Sequence, residues 1–81
     1  MVDDVKIDHE LDATGILCPE PIMMLHAIMR KANAGDVIRI TCTDPASQRD
    51  VPQFCEFLGH NLVDQVVTAG TFVFVLSKKQ S

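Results

Sequence analysis

The stretch Gly15-Ile16-Leu17-Cys18-Pro19-Glu20-Pro21 joins two patterns of different period, and that change organises the chain. Before it, Val5, Ile7, His9, Leu11 and Ala13 alternate with Lys6, Asp8, Glu10 and Asp12, the period-two signature of a strand with one wet face. Thr14-Gly15 ends that strand. After it, Ile22, Leu25, Ile28, Met29 and Ala32 recur at three- and four-residue spacing, which predicts a helix over 22–33 with one buried face. Proline is favoured in a first helical turn, where the N–H groups have no intrahelical partner to lose. Pro19 is therefore expected near the first helical position, with Cys18 at the cap. A thiol placed there meets unpaired N–H donors and the positive end of the helix dipole, which lower its pKa and make it a nucleophile.

Working outward, Asn33-Ala34-Gly35 closes the helix, glycine being the usual residue of a left-handed helix end. Val37 to Thr43 reads as a second strand, with Ile38, Ile40 and Cys42 on one face and Arg39, Thr41 and Thr43 on the other. Asp44-Pro45 breaks it. Ser47-Gln48-Arg49-Asp50 has the form of a capping box, with Ser47 as cap and Asp50 reaching back, opening a second helix. Val51, Phe54, Cys55 and Leu58 form its apolar stripe, Gly59 stops it, and Pro52 predicts an irregular start. Leu62 to Thr68 and Thr71 to Ser77 flank a hairpin turn at Ala69-Gly70, with Phe72, Phe74 and Leu76 on one face and Val73 and Val75 on the other. The order β-α-β-α-β-β, with one apolar stripe per helix, predicts an α/β (α+β) two-layer sandwich: a mixed four-stranded sheet with both helices on one face.

Composition narrows the function classes. Eighty-one residues, 47% of them hydrophobic, fit one domain spanning 1–81 with an ordered core from about 5 to 78. The first ten residues are acidic where a targeting segment is basic and then apolar, and no apolar run has membrane-spanning length, so a cytoplasmic chain off the membrane is expected. The net charge of −4 and the absence of Trp and Tyr argue against direct nucleic-acid binding, which draws its affinity from cations on phosphates. Three cysteines without a Cys-x-x-Cys pair argue against a disulfide framework or a four-ligand zinc site, and no cofactor is expected.

Cys18 is the candidate functional residue, since loops at strand ends carry function in α/β folds. Cys42 and Cys55 lie on inward phases and are expected to pack in the core. A cysteine hydrolase would need a histidine base, yet His26 falls about two helical turns beyond Cys18, and His9 and His60 lie on other elements. The chain thus carries a nucleophile without a catalytic apparatus, which points to a carrier completed by its partners. Glu20 complements the dipole of the first helix while opposing a thiolate at Cys18. Met23 and Met24 cannot both face inward, so one is expected to be exposed.

Leu11-Asp12-Ala13-x-Gly15-x-x-Cys18-Pro19-Glu20-Pro21, with Asp44-Pro45-Ala46 and Arg49-Asp50-Val51-Pro52-x-Phe54-Cys55, resembles the TusA (SirA/YhhP) sulfur-carrier family over about 11–78. The resemblance implies a two-layer sandwich similar to the C-terminal domain of translation initiation factor three. It also implies that Cys18, supported by Pro19, Glu20 and Pro21, accepts sulfane sulfur as a persulfide from a cysteine desulfurase. The sulfur then passes to a downstream relay protein, the best-known route ending at 2-thiouridine in tRNA. A monomer is expected of such a shuttle, docking through the surface around Cys18 and the first helix. The competing expectation is a redox-sensing or regulatory interaction module without sulfur transfer.

Overall fold

The computed structural model describes residues 6–17 and 20–79. The elements are β1 (His9–Ala13), α1 (Glu20–Lys31), β2 (Val37–Cys42), α2 (Ser47–Leu58), β3 (Asn61–Thr68) and β4 (Thr71–Ser77). The strands form one sheet in the order β1-β2-β4-β3, with β1 parallel to β2 and the other pairs antiparallel. Ile38, Ile40 and Cys42 of β2 and Phe72, Phe74 and Leu76 of β4 share one strand phase. They form a single buried cluster with Leu25 and Met29 of α1 and Val51, Phe54 and Cys55 of α2. Both helices therefore cover the same face, and the two-layer sandwich expected from the sequence is the observed fold. Val75 is also buried, at 3% exposure, although it belongs to the opposite phase. It sits mid-sheet between Arg39 and Asp64, and Arg39 is held over that face by an ion pair to Glu10 at 2.7 Å.

Element ends depart from the sequence reading where the deciding contact comes from far along the chain. β1 begins at His9 rather than Val5, which lies outside the described residues. Its partner β2 starts only at Val37, and there the Asp8 N–H donates to the Val37 carbonyl while the Asp8 carboxylate accepts from the Val37 N–H. The side chain takes the place of the next ladder carbonyl and closes the pairing. α1 starts at Glu20 and stops at Lys31, two residues short of the expected end at Asn33. Lys78 reaches across from the end of β4 and donates from Nζ to the carbonyls of Met29 and Ala32, both at 2.6 Å. A cation on the last carbonyls of a helix meets the negative end of its dipole. We expect Lys78→Met to cost about 2 kcal/mol, because charge-assisted bonds to otherwise unpaired carbonyls are lost; urea denaturation checks it, and an unchanged midpoint would contradict the cap.

The capping box is a correction. Ser47 is the first residue of α2, the cap position belongs to Ala46 in a right-handed helical conformation, and no side chain caps it. Asp44 organises the entry instead: its Oδ1 accepts from the Ala46 N–H at 3.1 Å, and its carbonyl accepts from the Ser47 N–H at 2.9 Å and the Ser47 hydroxyl at 2.7 Å. An aspartate before proline builds such a turn from its own side chain, and that shifts the helix start by one residue. At the other end Gly59, at φ 80°, and His60 both donate to the Cys55 carbonyl.

The β3–β4 turn has positive φ at both central residues, Ala69 at 49° and Gly70 at 80°. That pairing of signs matches the twist of a two-residue hairpin, but alanine pays a steric penalty there that asparagine largely avoids. Ala69→Asn should therefore raise stability by about 1 kcal/mol, read as a higher urea midpoint at unchanged slope. Along β3 the register shifts between Leu62 and Asp64, so that Gln65 and Val67 stand opposite Phe74 and Phe72. The strand is the sheet edge, and Val67 remains 52% exposed.

Candidate functional site

The end of β1, the start of α1, the end of β2 and the start of α2 meet at one end of the sheet. Crevices outside the carboxyl ends of strands are where α/β sheets place ligands and reactive groups. The loop leaving β1 is fixed by short-range bonds. Asp12 Oδ1 accepts from the Thr14 N–H at 3.0 Å and the Thr14 hydroxyl at 2.6 Å, and these bonds hold its carboxyl below the usual range. Gly15, at φ 76°, donates to Thr43 Oγ1 at 2.8 Å and ties the loop to the end of β2. Ile16 packs against the core, and its N–H donates to the Ala13 carbonyl at 3.1 Å.

Cys18 and Pro19 lie outside the described residues. Their neighbours on both sides are placed: Leu17 is 72% exposed, Glu20 is exposed at the first turn of α1, and the Glu20 N–H donates to the Leu17 carbonyl at 3.1 Å. Pro21 is buried and, with Ile22, closes over Asp44, Ser47 and Asp50 at the start of α2. Met23 is 61% exposed while Met24 packs on the core, the split expected of that pair.

The other two cysteines are core residues, Cys42 at 0% and Cys55 at 2% exposure. Burial raises both thiols, that of Cys55 to about 11. Such sulfurs are poor nucleophiles at neutral pH.

The histidines serve the framework. His9 Nε2 pairs with Asp36 Oδ2 at 2.9 Å. His26 and His60 flank Phe54, at ring-centroid distances of 4.8 and 5.7 Å. His60 Nδ1 accepts from the Lys79 N–H at 3.0 Å, so the neutral ring carries its proton on Nε2. Burial, then the nearby charges of Lys79, Lys78 and His26, lowers its pKa below the ordinary value. A histidine depressed in this way stabilises the fold while it is neutral, and the contribution fades as pH falls below about 6.5 toward the lowered value. The urea midpoint should drop across that window, and less so in His60→Gln; identical pH profiles would exclude the assignment. Among the described residues no cluster of His, Cys, Asp and Glu has the geometry to hold a metal ion.

One feature escaped the sequence reading. Between α1 and α2 lies an open groove lined by Ile22, His26, Asp50, Phe54, Glu56 and Phe57, among others. Phe57 is 88% exposed. The available signal was an aromatic residue off the 51-54-55-58 stripe, which only a face-by-face count of the helix would have isolated.

Fold and site together describe an α+β sandwich in which Cys18 falls, in sequence, between the end of β1 and the start of α1. Residues 9–78 match the family described as "Sulfurtransferase TusA", and the chain belongs to that family. It is 46% identical over 78 residues to the "Sulfur carrier protein TusA" of Pseudomonas syringae pv. syringae strain B728a, covering 96% of this chain and 93% of that protein. It is 50% identical over 76 residues to the protein of the same name from Pseudomonas putida strain GB-1, covering 94% and 95% respectively. Among solved structures, a SirA-like protein from Desulfitobacterium hafniense superposes with a TM-score of 0.76 at 18% identity, over 88% of this chain and 97% of that one. That likeness supports the fold.

Proposed function

We propose that this chain is a sulfur carrier that holds sulfane sulfur as a persulfide on Cys18. The observation that carries the reading is the burial of two of its three thiols: Cys42 and Cys55 are sealed in the core, while Cys18 falls in sequence between exposed Leu17 and exposed Glu20. The names of the relatives at 46–50% identity support the same activity.

In this reading the Cys18 thiolate attacks the outer sulfur of a persulfide on a cysteine desulfurase. The donor's S–S bond breaks, a new S–S bond forms to Cys18 Sγ, and the donor cysteine leaves as a thiolate, with no net redox change. The second transfer repeats this, a thiolate of the downstream relay protein attacking the outer sulfur and releasing the Cys18 thiolate. Both steps are thiol-exchange chemistry governed by pKa and access. Pro19 and Pro21 fix the helix entry and Glu20 tempers the sulfur so that cargo also leaves. The compartment is the cytoplasm and the terminal product 2-thiouridine in tRNA, reached without this chain touching RNA.

The test is incubation with a cysteine desulfurase and L-cysteine, followed by intact mass and site mapping. The expected result is one added sulfur on Cys18 that reductant removes. No adduct beside an active desulfurase would reject the carrier and favour a redox or interaction module.

A further inference from the structure

The parallel pair β1–β2 is closed at each end by a side-chain oxygen. At one end the Asp8 carboxylate accepts from the Val37 N–H at 2.9 Å. At the other, past the last ladder pair Ala13–Cys42, Thr43 Oγ1 accepts from the Gly15 N–H at 2.8 Å. Each oxygen stands where a further ladder carbonyl would otherwise accept. The two bonds differ in what they lead to. Asp8 runs directly into β1, whereas Gly15 begins the stretch that reaches Cys18 three residues later.

Around Gly15 the other contacts are local or point downward. Asp12 accepts from the Thr14 N–H and hydroxyl, and the Ile16 N–H donates to the Ala13 carbonyl, so these bonds shape the turn from within. Ile16 packs on the core beneath it. The Gly15–Thr43 bond joins residues 28 apart and sets the tilt of the turn toward β2. Gly15 makes it from a left-handed conformation, φ 76°. Further on, the Glu20 N–H donates to the Leu17 carbonyl, so the direction of the turn passes to the chain entering α1. Gly15 is exposed and Thr43 half-buried. If the hydroxyl is removed, water can satisfy the Gly15 N–H but does not hold it in one place, so the bond matters more to direction than to stability.

We propose that Thr43 is a positioning residue for sulfur transfer: by holding the Gly15 N–H, its hydroxyl oxygen sets the direction in which the segment bearing Cys18 meets a partner's sulfur. The assignment rests on the sulfur-carrier reading and adds a residue that acts on that site through Gly15. Displacement at sulfur needs the attacking sulfur in line with the S–S bond that breaks. Transfer between two docked proteins is therefore sensitive to orientation, and a misplacement of about 1 Å can cost on the order of a hundredfold in rate. A small alkylating reagent approaches from any open side and carries no such constraint.

The experiment measures sulfur loading by a cysteine desulfurase and L-cysteine against carrier concentration, for the wild-type chain, Thr43→Val and Thr43→Ser. Valine keeps the shape of threonine without the acceptor, and serine keeps the acceptor. Thr43→Val should lose roughly tenfold or more in kcat with KM little changed, the mark of an interaction that counts in the transition state. Thr43→Ser should load like the wild type. Iodoacetamide labelling of Cys18 and the urea midpoint should be the same in all three chains. A loss in Thr43→Ser equal to that in Thr43→Val would overturn the proposal, as would a change confined to KM, which would make Thr43 a docking contact. A parallel fall in labelling or in the urea midpoint would also overturn it, by making the hydroxyl a support of the fold. Equal loading by all three chains would remove the positioning role and leave the carrier standing; a wild-type chain that stays unloaded beside an active desulfurase would reject both.

Discussion

Cys18→Ser is expected to abolish sulfur loading completely while leaving the fold intact. A hydroxyl has nearly the shape of the thiol but does not ionise near neutral pH, and it cannot hold sulfane sulfur in an S–S bond. A substitution off the buried faces, where the sequence pattern puts residue 18, changes stability within about 0.5 kcal/mol, so the urea midpoint should not move. The same pair of proteins tests the sorting of the thiols. Folded wild type should take a single iodoacetamide label, at Cys18, and Cys18→Ser should take none until it unfolds. Cys42 at 0% exposure and Cys55 with its thiol near 11 have neither access nor charge. This insulation matters to a carrier, because sulfur that wandered onto a core thiol would be lost to the relay. A label on either residue in the folded variant, or loading without Cys18, would contradict it.

The second large effect concerns stability. Phe74 is wholly buried at the centre of β4, opposite Ile40 on one side and Gln65 on the other. Phe74→Ala should cost about 3–5 kcal/mol through lost burial and the cavity left behind. A chain of this length has roughly 4–12 kcal/mol of total stability, so the variant should be marginal or unfolded at room temperature. Phe57→Ala removes the same ring from the same molecule at 88% exposure and should stay within about 0.5 kcal/mol of wild type. Urea midpoints for the two variants decide the matter; a comparable loss in both would mean that the assignment of core and groove is wrong.

Much of the site's framework could be read from the sequence. The alternation over His9–Ala13, the helical spacing after Glu20 and the left-handed glycines at 35, 59 and 70 all appear where local pattern put them. So does the sealing of Cys42 and Cys55, because inward phase is a property of strand and helix period. Ser47 misled because Asp44-Pro45, just upstream, competes for the same role, and only the realised turn shows which residue prevails.

The chain alone thus determined the order of elements, their buried faces and the two cysteines that lie on them. Each of these depends on residues within a few positions of one another. Tertiary structure decided the strand order β1-β2-β4-β3, the Lys78 cap on α1, the Lys79–His60 bond and the groove that leaves Phe57 in water. These join groups many residues apart, whose meeting depends on how the helices settle on the sheet rather than on any local periodicity.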